Sequence, residues 1–271
     1  MKLNTTILLL CLLLLTAVTS VAQQLEATFI RTIAVGSSTA ISTDRSGAVY
    51  LLNPRRNIVQ LDSLSRLITL YSPTNNARVT TIDAWNSMKV LAFYADRQEL
   101  LLLDRFLTPI TSVALADFEI NNTVKAAALA SDDGFWLFDE TDFKLSKLDL
   151  RLRKITIETP LNLVLDRNKF DIRMLREYQN QVYLLDYNSG IYVFDNLGNY
   201  KQKLPITGVS HIGFLNNELY FVKEGSLHFY DLYKHQPRTI VFPENKNYTT
   251  ALATKNRLYL FSGKAADVYS W

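Results

Sequence analysis

Apolar and polar positions recur along the chain as a two-strand unit. Each unit has an apolar or aromatic strand, a polar turn and a second strand, and five of the six units end in Asp. The second residue of the units falls at positions 50, 91, 136, 183, 220 and 259. Such a period has room for four short strands, which is one blade of a β-propeller. The units span residues 49–62, 90–104, 135–149, 182–195, 219–231 and 258–271.

Two further strands complete each predicted blade. Before the unit lies a stretch of small residues, as at 126–131 and 249–254, which suits an innermost strand around a narrow channel. After the unit lies a β-branched, more polar stretch, as at 154–159 and 238–242, which suits an outer strand with one face in water. No long stretch has a helical apolar period, so we predict an all-β, six-bladed propeller of four-stranded antiparallel blades.

The last blade tests this prediction. The final unit ends at Trp271 with no outer strand after it, and an unpaired third strand would be an exposed edge. One strand-like segment, Ala27 to Val35, precedes the first innermost strand and has no other place. We therefore expect it to pair beside residues 265–271 and to close the ring.

The first 22 residues have the pattern of a secretory signal peptide. Lys2 gives the positive start, residues 7–18 form a short apolar run, and Ser20 and Ala22 are small. We expect cleavage after Ala22, which leaves residues 23–271 as one exported propeller domain without a transmembrane segment. A retained membrane anchor and lipidation at Cys11 are the alternatives.

Charge and cysteine content limit the classes of partner and the compartments that suit this chain. The formal net charge of +3 falls to +2 without Lys2, and the charges are scattered, so nothing points to nucleic acid. Cys11 is the only cysteine, so the mature chain would contain no disulfide. We place the protein in the periplasm or on the periplasmic side of the outer membrane, with secretion or the cell surface as the alternative.

A short motif connects the chain with known propellers. The segment TDRSGAVYLLN, residues 43–53, resembles the blade signature of NHL-type and lactonase-type (six-bladed TolB-like) propellers. The boundary after Ala22 resembles the signal ends of exported Bacteroidota proteins. A lactonase-type propeller would gather acidic and amide side chains around calcium at the channel mouth. Asp83, Asp171 and Glu177 are the residues that could contribute.

Polar turns supply the candidate binding surface. Propeller ligands usually meet the face formed by the turns between second and third strands and by the connections to the next blade. A basic sector could be formed by Arg55, Arg56 and Arg97, opposite an acidic sector at residues 139–142. The alternative is that these turns are polar only because they are exposed to solvent. The long connection 160–171 carries four apolar residues, which either contact a partner or fold against the ring. The candidate binding residues are Arg55, Arg56, Tyr94, Arg97, Tyr187 and His211.

Catalytic and metal signatures are scarce. His211 begins a predicted innermost strand and could line the channel mouth as a base or ligand, or it is an ordinary hydrogen-bonded histidine. No metal-ligand spacing, GxSxG or Walker glycine loop is present, so we predict no metal or cofactor. The Asp that recurs at the end of the unit is interpreted as a turn-forming residue.

These observations favour a non-enzymatic protein-protein interaction scaffold, or an accessory subunit, of a cell-envelope complex. Its expected partner is an envelope or outer-membrane protein. The alternative is a calcium-dependent, lactonase-like hydrolase or a small-molecule binder at the channel mouth.

Overall fold

The computed structural model describes residues 23–24, 27–36, 40–73, 77–234, 236–242 and 246–271. The predicted signal peptide, residues 1–22, lies outside the described residues. Within them, no helix is long and apolar enough to cross a membrane.

Strands form almost all of the regular structure. The first two, β1 (Gln23–Gln24) and β2 (Thr28–Ala34), join the last two blades. The other strands follow blade by blade from the channel outward. Blade 1 contains β3 (Ile41–Thr43), β4 (Val49–Leu52), β5 (Ile58–Leu61) and β6 (Leu67–Tyr71). Blade 2 contains β7 (Thr81–Asp83), β8 (Lys89–Tyr94), β9 (Glu99–Asp104) and β10 (Pro109–Ala114), and a short 3-10 helix (Leu115–Phe118) follows it.

The remaining blades have the same order. Blade 3 contains β11 (Val124–Leu129), β12 (Phe135–Asp139), β13 (Lys144–Asp149) and β14 (Lys154–Pro160). Blade 4 contains β15 (Ile172–Tyr178), β16 (Gln181–Asp186), β17 (Gly190–Asp195) and β18 (Tyr200–Leu204). Blade 5 contains β19 (Gly213–Leu215), β20 (Glu218–Lys223), β21 (Ser226–Asp231) and β22 (Pro237–Val241). Blade 6 contains β23 (Thr250–Ala253), β24 (Arg257–Ser262), β25 (Ala265–Ser270) and β2. The predicted all-β, six-bladed propeller is confirmed.

Packing between blades explains the burial of the strands. Every residue of β4 and β12 is buried, whereas the outer strand β14 alternates between exposed and half-buried positions. A middle strand has a neighbouring blade on both faces, so apolar residues are favourable on both. One apolar cluster fills the space between blades 2 and 3 and includes Phe93 and Leu137. Burial of these side chains is the main favourable term that holds the disc together.

The ring closes as the sequence predicts. β2 pairs antiparallel with β25, with Thr28 opposite Ser270 and Ala34 opposite Ala265. The Thr32 hydroxyl also donates to the Asp267 carboxylate at 2.6 Å. β1 was not predicted: it adds to β22 in parallel and makes blade 5 a five-stranded sheet.

The recurrent aspartates have the expected turn role. The Asp62 carboxylate accepts the backbone N–H groups of Leu64 and Arg66 at 2.9 and 2.8 Å. Asp104 and Asp195 accept the N–H groups two and four residues further on in the same way. Each aspartate thus fixes the turn between the third and outer strands.

Candidate functional site

The central channel is crossed by one buried side chain. Arg176 lies on β15, the innermost strand of blade 4, and its guanidinium is 2.9 Å from the carboxylate of Asp83 in blade 2. The same guanidinium donates to the Ser42 hydroxyl of blade 1 at 3.3 Å and to the Ile82 carbonyl at 3.4 Å. In a ring of six, blade 4 is opposite blade 1. The side chain therefore reaches across the channel to blades 1 and 2.

His211 is packed against this arginine. It precedes β19 and is only 7% exposed. Burial, with the charge of Arg176 second, lowers the pKa of His211 to about 3. The imidazole is therefore neutral at physiological pH, and its Nε2 has no hydrogen-bond partner among the described residues. The structure thus places His211 inside the channel rather than on an exposed mouth.

The three candidate calcium ligands do not form one site, since Asp83 and Glu177 line one cavity that Asp171 does not reach. Glu177 accepts the Ser131 N–H at 3.2 Å and the Trp136 indole N–H at 2.6 Å, which ties blade 4 to blade 3. The carboxylate of Asp83 accepts the Leu129 N–H at 3.0 Å in addition to its ion pair. Asp171 precedes β15, whereas Glu177 is near the other end of that strand. The three carboxylates do not converge, and the described residues contain no cluster of three His, Cys, Asp or Glu suited to a metal.

A shallow cavity marks one mouth of the channel. Its volume is about 250 Å³, and Arg45, Trp85, Ser131, Glu177 and Asn180 are among its lining residues. Apart from Glu177, which is near the end of β15, these residues belong to the turns between the first and second strands. The cavity is therefore on the face opposite to the one that the sequence favoured for binding. The carboxylates of Asp83 and Glu177, which line this cavity, already bond to residues of neighbouring blades.

We call the other face, formed by the turns between second and third strands and by the connections between blades, the docking face. Arg55 and Arg56 are exposed in the turn after β4. Arg97 is exposed after β8, and its Nε is 2.9 Å from the Glu99 carboxylate. Tyr187 follows β16, is 38% exposed, and has the Arg173 guanidinium 5.2 Å from its ring centre.

Two sequence candidates contribute little to this face. Tyr94 is 3% exposed and packs in the core between blades 1 and 2, where burial raises its pKa. Asp139, in the expected acidic sector, is 3% exposed, and its carboxylate accepts the turn N–H groups of Thr141 and Asp142. Blade 3, which carries this sector, is next to blade 2, so the acidic turn is beside the basic one rather than opposite it.

The connection between blades 3 and 4 adds an exposed apolar residue. Leu161 and Leu165 are buried against the ring, which is one of the two alternatives that the sequence left open for this connection. Leu163, between them, is 98% exposed. Arg167 donates to the Thr141 carbonyl at 2.5 Å, and Asn188 donates to the Lys169 carbonyl at 2.7 Å. These bonds fasten the connection to the turns of blades 3 and 4. Leu163 is therefore presented on the docking face by a fixed segment.

Comparisons with known proteins identify the fold alone. No protein-family model and no curated protein sequence matches the chain. Among solved structures, virginiamycin B lyase from Staphylococcus aureus is 11% identical with a TM-score of 0.57, covering 91% of this chain and 89% of that chain. A chain of a mitotic checkpoint complex is 8% identical with a TM-score of 0.65, covering 93% and 94%. BamB from Moraxella catarrhalis is 11% identical with a TM-score of 0.50, covering 90% and 100%.

Proposed function

We propose that this protein is a non-enzymatic interaction scaffold, an accessory subunit that binds another protein through its docking face. The observation that carries this proposal is Leu163, a large apolar side chain held almost wholly in water. Leaving such a side chain exposed forgoes about 1.5–3 kcal/mol of burial. A partner that covered it would recover this free energy.

The surroundings of Leu163 suit a protein interface. Tyr187 and Arg173 stack on the neighbouring blade, and aromatic and arginine side chains are enriched where binding energy concentrates. The connection is fastened on both sides, so binding would order few additional residues. Arg55, Arg56 and Arg97 would form the polar rim on blades 1 and 2.

The compartment of this scaffold is proposed from the sequence. A signal peptide at residues 1–22 would export the chain, and the expected partner is then a protein of the cell envelope or outer membrane. Solved propellers of similar fold include both a lyase and a chain of a checkpoint complex, so the fold by itself does not decide between catalysis and assembly.

A calcium-dependent hydrolase at the channel mouth receives less support. Asp83 and Glu177 bind neighbouring blades, and Asp171 is at the other end of β15. Arg176 crosses the channel between the two faces and pairs with Asp83 there. Binding of calcium by these residues would require them to abandon bonds that hold blades 2, 3 and 4 together.

The test is crosslinking and affinity purification of the tagged protein from its native envelope, with two matched variants. Leu163→Asp changes the docking face, whereas Leu152→Asp changes an exposed leucine in a turn at the opposite face of the same blade. We expect one stoichiometric partner with the wild type and with Leu152→Asp, and its loss with Leu163→Asp. Equal recovery with both variants, or a rise in melting temperature in millimolar calcium, would contradict the proposal.

A further inference from the structure

Five of the six blades hold a large apolar side chain in water at the same turn. This turn joins the third strand to the outer strand and lies on the face that bears the cavity of about 250 Å³, which we call the cavity face. Blade 6 has no such turn, because its outer strand is β2. The five side chains are between 50% and 67% exposed. We call them the apolar ring, and its members are Leu64, Phe106, Leu152, Leu197 and Tyr233.

The backbone of these turns is fixed without the apolar side chains. In every turn, the N–H group of the ring residue donates to a preceding aspartate carboxylate at 2.8 to 3.0 Å. In four turns the next residue has a left-handed backbone that reverses the chain, with φ between 50° and 82°. These four residues are Ser65, Leu107, Arg153 and Gly198. Turn positions usually carry small polar residues, so folding does not explain why a large apolar residue recurs here.

The turns of the docking face do not share this pattern. The turns between second and third strands are all described, and they expose polar and charged residues, as at Arg55, Arg97 and Asp142. Among them only Tyr187 exposes a large hydrophobic side chain, and the Arg173 guanidinium is 5.2 Å from its ring centre. The recurrence is therefore a property of the cavity face and not of the turns of this propeller in general.

Rotation about the channel sets the apolar ring at one level. Equivalent turns of a propeller are related by this rotation, so the five turns lie at the same height on the circumference of the disc. The Tyr233 hydroxyl donates to the Gln179 side chain at 2.8 Å, which ties one turn to the cavity that Gln179 lines. Inside the apolar ring the surface is polar at the cavity, as at Arg45 and Asn180, with Met88 as an exposed apolar residue nearby.

This arrangement suits a lipid surface better than a second protein. Protein interfaces place apolar residues at the centre and polar residues at the rim, whereas here the apolar residues surround a polar centre. A second copy placed face to face would also set the cations beside one apolar ring against those beside the other. A phospholipid layer is fluid, so it can take up each apolar side chain separately.

The charges beside the apolar ring fit lipid phosphates. The Arg105 guanidinium is exposed and lies 4.6 Å from the ring centre of Phe106. The carboxylates of these turns are half-buried and accept backbone N–H groups, so the more exposed charge is positive. The same combination of apolar and basic side chains anchors segments in the interface of a bilayer. Exposed cations lie within two positions of four ring residues, namely Arg66, Arg105, Arg151 and Lys234.

We propose that the cavity face lies on a phospholipid membrane, with the apolar ring inserted among the headgroups and the four cations bonded to phosphate oxygens. The docking face then points away from the membrane and stays open to a protein. The apolar ring and the docking face share no residue, so this attachment does not depend on the proposed scaffold function. The Leu152→Asp variant of the capture experiment removes one of the five inserted residues, and capture of a partner from solubilised envelope does not require that residue.

Vesicle sedimentation tests the attachment. The protein is residues 23–271, which contain every described strand and lack the apolar run at 7–18, and the vesicles are phosphatidylethanolamine with phosphatidylglycerol. We expect the wild type to sediment with the vesicles. Leu64→Ser and Leu197→Ser, on opposite blades, should each weaken the partition about fivefold, and together about 25-fold, because each removes a leucine that the lipid would bury. Leu163→Ser is the matched control on the docking face, where the leucine is 98% exposed, and should sediment like the wild type.

A labelled cysteine provides a second readout. Residues 23–271 contain no cysteine, since Cys11 is the only one in the chain, so Leu197→Cys and Leu163→Cys can each carry a single polarity-sensitive dye. We expect the emission of the dye at position 197 to shift to the blue when vesicles are added. The emission of the dye at position 163 should stay unchanged.

Several outcomes would overturn the proposal. They are a wild type that does not sediment, an equal loss in Leu163→Ser, and an unshifted dye at position 197. A dimer in analytical ultracentrifugation that Leu197→Ser dissociates would assign the apolar ring to a second copy instead. The serine variants should melt like the wild type, because the backbone holds these turns. A lower melting temperature would mean that the ring residues stabilise the fold, which would remove the argument for a lipid.

Discussion

Replacement of Arg176 by Met should destabilise the protein through the carboxylate that it leaves behind. The guanidinium has one short contact, to Asp83 at 2.9 Å, and its bonds to Ser42 and Ile82 are longer, at 3.3 and 3.4 Å. Asp83 is 1% exposed, so in Arg176→Met its charge is buried without a cation. Breaking such a pair costs about 3–5 kcal/mol. The backbone N–H groups of Trp85 and Leu129 still donate to the Asp83 carboxylate. We therefore expect the free energy of unfolding to fall by about 3 kcal/mol, the lower end of this range.

Urea unfolding followed by tryptophan fluorescence measures this loss. With an m-value of about 3 kcal/mol/M, the midpoint should fall by about 1 M. Arg173→Met is the matched control, because Arg173 is on the same strand and pairs with Asp171 at 2.5 Å, but both side chains are partly exposed. Arg173→Met should lower the free energy of unfolding by less than about 1 kcal/mol. Equal losses in the two variants, or a loss below about 1 kcal/mol in Arg176→Met, would refute the reasoning that burial of the pair decides the cost.

Two further predictions follow from the ring and from its buried histidine. Deletion of residues 23–35 removes β2, so β25 becomes an open edge of the sheet. We expect the variant to aggregate in size-exclusion chromatography or to show a much lower melting temperature in calorimetry. A monomer with an unchanged melting temperature would mean that β2 does not close the ring. The folded pKa of His211, about 3, is below its unfolded value near 6.5, so acid protonates the unfolded state first. Stability should therefore fall by up to about 1.4 kcal/mol per pH unit between about pH 6.5 and pH 3, and His211→Gln should remove this part of the slope in urea titrations at each pH.

The repeat made the fold predictable, but it did not reveal which turn residues are exposed. The repeated hairpin units predict the blades, and the one unassigned strand near the start predicts the closure of the ring. Both patterns are local in sequence, and only one arrangement accommodates all of them. Tyr94 and Asp139 appeared as surface residues, yet each is at a strand end that a neighbouring blade or its own turn covers. Contacts between blades are long-range, so sequence spacing does not encode them.

The central arginine could have been found from the sequence. The innermost strand of blade 6 is made of small and apolar residues, and that of blade 3 adds only the exposed Lys125, whereas β15 contains the buried Arg176 and Glu177. A charged residue at a position that faces a narrow channel must have a partner. Asp83, also on an innermost strand, is the matching carboxylate.

Closure by the first long strand has a consequence for biosynthesis. Thr32 and Asp267 are bonded across 235 positions of sequence, so β2 is synthesised first and waits unpaired until β25 appears. Pairing over such a separation is slow, and the waiting strand exposes Phe29 and Ile30, which are apolar side chains that a chaperone could hold. A chain interrupted before β25 has no partner for β2. Closure of the ring therefore requires synthesis to have reached the last blade, and an incomplete product keeps an unpaired strand that can pair with other chains.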